Sequence, residues 1–261
     1  MAKLKHFRIL KIKHFVLFVT IIGFVSCKED QKSLQRIAAE QIPVDSTFKE
    51  VTMVKDFIEP YRTRVNKMLD STLAYAPAKI SKMDGVYNTT AGNLMADIML
   101  SETNPIFKKR TGKDIDFVLM NHGGIRAIIS KGNVSARTAY EVMPFENNIS
   151  VVELDGKSVL QMITYIVQSK RAHPLSGIQV ILNKDDSIKT LKIQGKPFDV
   201  NRYYYVATSD YLVSGGDDMV FFKNALSVTE TDYKIRNAMI DYFSKVDTLA
   251  PTIDDRFYKI E

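Results

Sequence analysis

The chain has 261 residues, 45% of them hydrophobic, which is enough for one ample core or two small ones. Its formal charge of +6 is concentrated at one end: residues 1–27 carry five of the 36 basic residues and no acid, so the remainder holds 31 basic against 30 acidic residues. A near-neutral body argues against a nucleic-acid-binding domain, which keeps its basic excess in the folded part, and a lone cysteine, Cys27, excludes an internal disulfide or a cysteine-based zinc cluster.

The N-terminus reads as a targeting segment. Lys3, Lys5, Arg8, Lys11 and Lys13 lead into the apolar run FVLFVTIIGFVS, Phe15–Ser26. That run is too short to span a bilayer as a helix. With Cys27 directly after it, residues 1–26 resemble a bacterial lipoprotein signal, which implies lipidation at Cys27 and a place in the cell envelope, facing the periplasm or the cell surface. Residues 27–45 are polar and lack periodicity, as expected of a tether. The folded domain is expected over 46–261.

From about Thr47 the chain is expected to be helical, with Val54, Ile58, Tyr61, Val65, Met68 and Leu69 at spacings of three and four facing inward. Pro60 should bend or restart that helix. TTAGNLMADIML predicts a second helix, capped by Thr89 or Thr90, with Leu94, Ile98 and Met99 inward. IDFVLMN is a short buried strand that runs into NHGGIR, Asn121–Arg126. SARTAYEVM reads as a short helix, ISVVEL as a strand and GKSVLQMITYIVQS as a helix. GIQVILNKDDSIKTLKI predicts a hairpin turning at Asp185-Asp186-Ser187, and RYYYVATS a strand leading to DYLVSGGDDMVFF. A last amphipathic helix is expected over TDYKIRNAMIDYFSKV, using Tyr233, Ile235, Met239, Ile240 and Phe243. Helices and strands mix without strict alternation, which favours an α+β fold.

A two-metal hydrolase needs roughly eight to ten ligand positions. Beyond residue 27 the sequence has two histidines, His122 and His173, and no Asp-x-His or H-x-x-x-H. His122 is expected to be a loop histidine, with a metal or acid–base role as the lesser alternative. No G-x-S-x-G is present for nucleophilic catalysis. Three motifs are more polar than the apolar runs beside them: NHGGIR, MPF (Met143–Phe145) and DYLVSGGDD (Asp210–Asp218). Taken singly, each reads as local structure: glycine pairs permit tight turns, and Arg126 or Asp217 could form structural ion pairs.

Taken in order, N-x-GG-I-R, MPF, a V-x-L-x-G strand and VATSDYLVSGGDD resemble the C-terminal domain of the 5'-nucleotidase family, which also includes UDP-sugar hydrolases and 2',3'-cyclic nucleotide phosphodiesterases. AGNLMAD is similar to that family's G-N-L-x-x-D helix. The resemblance implies a four-layer α/β/β/α sandwich. It implies that Phe145 and Tyr211 clamp a nucleobase, that Asn121 contacts the base, that Asp217 holds the ribose hydroxyls and that Arg126 grips phosphate. Gly124 and Gly216 would let the backbone come close to the ligand. The resemblance also marks departures. The D-x-H, G-N-H-[DE] and G-H-x-H motifs of the family's metallophosphoesterase domain are absent from this sequence. Gly85 stands where members often have a phosphate-binding arginine, with Lys82 as the nearby cation. The implied function is the nucleotide- or nucleoside-recognition half of a phosphohydrolase. It would need no cofactor of its own, and a separate metallophosphoesterase would supply divalent metals. The alternatives are a surface nucleoside-binding module without catalysis, and a scaffold in which the motifs serve packing alone.

Overall fold

The computed structural model describes residues 12–20, 34 and 36–260, which divide into two units, 1–52 and 53–261. In the first, residues 12–20 are helical, and the described residues that follow form no regular element apart from a turn near Asp45–Phe48. Cys27 and the end of the apolar run lie outside the described residues. No described helix is long and apolar enough to cross a membrane.

The second unit begins with α1 (Thr52–Asp70), which runs through Pro60 as one helix. The expected inward face is not inward. None of its residues is buried, and Val54, Tyr61, Val65 and Met68 are exposed. Periodicity located the apolar stripe, but the described residues of the second unit do not bury it. The unit is held on α1's other flank, where Arg137 donates to Asn66 Oδ1 at 2.9 Å and pairs with Asp70.

Around α2 (Thr90–Thr111) the core closes. Thr89 caps it by accepting from the Gly92 N–H at 3.1 Å, and Gly112, left-handed at φ 74°, ends it. The helix extends well past the predicted Leu100 and tolerates Pro105. Short β1 (Thr72–Ala76) pairs antiparallel with β3 (Gly132–Ser135), which leads into α3 (Ala136–Val142). The central sheet has the order β10-β4-β9-β2-β5, built from β2 (Phe117–Leu119), β4 (Asn148–Asp155), β5 (Leu175–Ser176), β9 (Tyr203–Ser209) and β10 (Ser227–Lys234). Strands β2 and β9 are parallel and the other pairs antiparallel.

Strict alternation along the central strands splits the core in two. Val118, Val151 and Ala207 face α2 and α6 (Ile235–Phe243), while Leu119, Val152 and Val206 face the other side. There they meet α4 (Gly156–Ser169), through Val159, Met162, Ile163 and Ile166, and a second sheet. That sheet has the order β11-β6-β7-β8 and is made of β6 (Ile178–Leu182), β7 (Ile188–Ile193), β8 (Lys196–Pro197) and β11 (Phe257–Lys259). The β6–β7 hairpin turns at the expected residues, with Asp186 left-handed at φ 66°. The fold is therefore α+β, as the mixed order of elements predicts.

One further expectation fails. Thr231–Lys234 is the end of β10, and the last helix starts only at Ile235. Pairing with β4 at Glu230 and again at Lys234, with a bulge between them where Asp232 is left-handed at φ 56°, and the Thr231 hydroxyl donating to Ile149 O at 2.6 Å keep that segment in the strand.

Candidate functional site

Topology brings the three polar motifs together. Strands β2 and β9 run parallel and β4 runs against them, so the ends of the first two and the start of the third share one edge of the sheet. Asn121 follows β2, α5 (Asp210–Val213) follows β9, and Phe145 precedes β4. Their side chains line one cavity of about 250 Å³, with Asn121, Gly123, Gly124, Arg126, Phe145, Asn147, Tyr211 and Asp217 on its walls. A larger and more open depression, about 640 Å³, runs along the outer side of α4. The convergent polar groups belong to the smaller cavity, and a ligand site is recognised by such groups more than by size.

Asp217 is the centre of the site. Its Oδ2 accepts from Asn121 Nδ2 at 2.7 Å and its Oδ1 from the Tyr211 hydroxyl at 3.0 Å. A carboxylate has about four acceptor positions, so two remain for further donors such as a cis-diol. The backbone that presents it is unusual: Gly215, Asp217 and Asp218 are all left-handed, at φ 96°, 51° and 56°. Aspartate tolerates that region better than most residues. Tyr165 steadies the turn from α4, its hydroxyl donating to Asp217 O at 2.7 Å. The hydrogen bond to Asp217 raises the Tyr211 pKa, which keeps the phenol protonated as a donor.

The glycines have local reasons as well as the expected one. A Cβ on Gly216 would overlap the Tyr211 ring, and one on Gly124 would stand 2.9 Å from Asn121 Oδ1. These residues let protein groups pack into the wall, alongside any role in letting a ligand approach. Phe145 and Tyr211 remain 40% and 44% exposed, so neither ring is core. The Arg126 guanidinium lies 5.7 Å from the Phe145 ring centre.

Lys82 reaches the same loop, with Nζ donating to Ile125 O at 2.6 Å. Burial, then the nearby charges of Arg126 and Arg171, lower its pKa. At Gly85 a Cβ would overlap the Asn88 carbonyl, so an arginine could not stand there without a backbone shift. His122 is half-buried and does not line the cavity; its Nδ1 lies 3.2 Å from Ala172 O and its backbone N–H donates to His173 Nδ1. His173 is 4% exposed, and burial, with the charge of His122, pushes its imidazole down to about 4. Among the described residues no three His, Cys, Asp or Glu side chains are grouped so as to hold a metal ion.

Sequence reasoning missed the supports. Asn147 lines the cavity two residues after Phe145, a signal visible in the sequence but not singled out. Asp210 ties the two aromatic loops together, accepting from Asn148 N at 3.0 Å and Tyr211 N at 2.7 Å. Buried Arg236 lies 4.0 Å from the Tyr140 ring centre, pairs with Glu146, and donates to Phe145 O at 3.4 Å. Lys234 and Arg236 together hold the Glu146 carboxyl down at about 2. No sequence pattern announces these contacts, because they join residues up to 91 positions apart.

Three loops thus bring two rings, an amide and a carboxylate together at one sheet edge of an α+β body. Comparison with known proteins makes this specific. The family model "5'-nucleotidase, C-terminal domain" matches residues 74–224, more than half of the chain, and the chain belongs to that family. Protein UshA of Escherichia coli is 31% identical over 143 residues, covering 54% of this chain and 26% of UshA. The cell wall protein Lmo0130 of Listeria monocytogenes is 28% identical over 220 residues, covering 68% of this chain and 28% of that protein. The crystal structure of a 5'-nucleotidase precursor from Thermus thermophilus superposes with a TM-score of 0.66 at 22% identity, over 80% of this chain and 43% of that one, which establishes likeness of fold. The chain thus matches between about a quarter and two fifths of the length of these relatives, 26% to 43%.

Proposed function

We propose that this chain is the nucleotide-recognition component of a 5'-nucleotidase-type phosphohydrolase, with hydrolysis supplied in trans by a separate metallophosphoesterase. The observation that carries the reading is the convergence of Phe145, Tyr211, Asn121, Arg126 and Asp217, from three distant segments, on one cavity. In this reading a base stacks on the two rings, with Asn121 at its edge. Asp217 accepts from the ribose hydroxyls, and Arg126 takes a phosphate oxygen pair. The chain beyond residue 27 holds two histidines, too few for a dinuclear site, so the partner brings the divalent metals and the attacking water. Lipidation at Cys27 would hold the domain at a membrane of the bacterial envelope, and a Cys27→Ser change should release it into the soluble fraction.

The test has two arms. The purified chain is assayed for AMP hydrolysis with Mn²⁺ or Zn²⁺, and no turnover above buffer is expected; robust hydrolysis would overturn the trans reading. Calorimetry should show AMP binding that weakens by about 1–3 kcal/mol in Phe145→Ala or in Tyr211→Ala. Equal affinity for adenosine and AMP would favour a nucleoside-binding module instead, and no binding by either ligand would leave only a scaffold.

A further inference from the structure

A second cleft, also of about 250 Å³, shares no lining residue with the Asp217 cavity. It lies where the end of α4, the loop before α2, strand β11 and the β6–β7 turn come together. One wall is apolar and aromatic. The half-buried Tyr87 ring sits 5.0 Å from that of buried Phe257, and Val167 of α4 lines the same cleft. The other wall is charged, with Lys170, Arg171 and Lys259 against a single carboxylate, Asp186. Lys259 Nζ pairs with Asp186 Oδ1 at 2.6 Å, so that couple cancels. Among the described residues neither Lys170 nor Arg171 has an ion-pair partner, which leaves two uncompensated positive charges at the cleft.

Local structure explains one of the two. Lys170 caps α4 with a left-handed backbone at φ 50°, where the negative end of the helix dipole favours a cation. Arg171 stands beyond the helix, and its charge meets other cations: after burial, the charges of Arg126 and Arg171 lower the Lys82 pKa. Like charges held together beside an apolar wall repel one another and cost stability until an anion joins them. We infer that this cleft is a second binding site, for a phosphate monoester with a small apolar or aromatic body. A dianionic phosphoryl group matches the two uncompensated charges, the Arg171 fork suits its oxygens, and the organic part packs against Tyr87 and Val167. The site goes beyond the nucleotide reading and does not depend on it, since the two cavities have no residue in common.

The probe is phenyl phosphate, titrated by calorimetry into the purified full chain above about pH 7, where a phosphate monoester is a dianion. It should bind, with phenol and inorganic phosphate each weaker by about tenfold or more, because one lacks the charge and the other the ring. Arg171→Gln should weaken phenyl phosphate by about tenfold, Arg171→Lys by less, and Arg126→Gln should leave it unchanged. Asp186→Asn is the sharpest arm. Asparagine tolerates the left-handed backbone at φ 66°, and Lys259, released from its pair, adds a third cation, so affinity should rise severalfold. A variant that merely misfolds cannot bind more tightly. Binding lost in Arg126→Gln but kept in Arg171→Gln would put the phosphate in the Asp217 cavity and overturn the second site. So would no binding of phenyl phosphate, or an Asp186→Asn affinity no higher than that of the native chain. Phenol or inorganic phosphate binding as tightly as phenyl phosphate would overturn the ligand class. The nucleotide reading is tested separately, at Phe145 and Tyr211, and survives each of these outcomes.

Discussion

Two helices of this protein invert the usual relation between pattern and burial. The stripe on α1 is regular and covers nothing: none of its 19 residues is buried. In α2 small and polar residues interrupt the pattern, yet ten of its 22 residues are buried, Asn93 and Thr103 among them. The difference lies in the neighbours. The second helix lies between the central sheet and α6, so even its polar side chains are enclosed, and Asn93 Nδ2 is satisfied by Asn88 and by Thr252 O. The first keeps its stripe at the surface of the second unit. Periodicity shows which face is apolar; it does not show what covers that face.

Core truncation is the strongest way to break this contrast. Ile98→Ala in α2 should cost about 2–5 kcal/mol, from lost burial and a residual cavity. Val65→Ala in α1 should stay within about 0.5 kcal/mol. Urea unfolding midpoints measure both, and equal costs would show that α1 is packed in solution.

Acid sharpens the contrast next, because a buried imidazole lies at the base of the site loop. The His173 pKa is about 4 against an unfolded value of 6.5, so below pH 6.5 the unfolded chain takes up a proton that the folded chain refuses. Stability should therefore fall as pH drops from about 6.5 to 4, by on the order of 3 kcal/mol in total. Thermal melts across that range should show the decline, and His173→Gln should flatten it.

A smaller effect separates the site from the core. Gly216→Ala drives a methyl into the Tyr211 ring, so AMP affinity should fall by about as much as in Tyr211→Ala, roughly 1–3 kcal/mol, while the unfolding midpoint barely moves. Calorimetry alongside denaturation distinguishes the two. The smallest is the cap: Thr89→Ala removes an acceptor from the Gly92 N–H and should cost about 1 kcal/mol in the unfolding curve.

Much of this architecture was legible in the sequence. The helices at 90, 136 and 156, the hairpin at Asp185–Ser187 and the strands around the motifs follow from apolar spacing, caps and turn residues. Local chemistry failed at the ends of elements, where distant pairing decides the outcome. Thr231–Lys234 has a helical pattern, but it is strand because β4 lies beside it. The two-residue β5 is too short to be read from pattern alone, and it exists through its pairing with β2.

The candidate site divides in the same way. By itself the sequence determined the chemical groups: the rings of Phe145 and Tyr211, the Asn121 amide, the Arg126 guanidinium, the Asp217 carboxylate, and glycines where a tight turn is needed. Residue order and turn propensity are local properties, and a chain carries them before it folds. Only the tertiary structure decided that these groups meet. The β4-β9-β2 order places three strand ends on one edge, Asp210 ties two of the loops together, and Arg236 secures the Phe145 backbone from α6. It also decided that the amphipathic helix α1 buries no residue while the amphipathic helix α4 is buried against the core, because burying a face takes a partner surface that local sequence cannot specify.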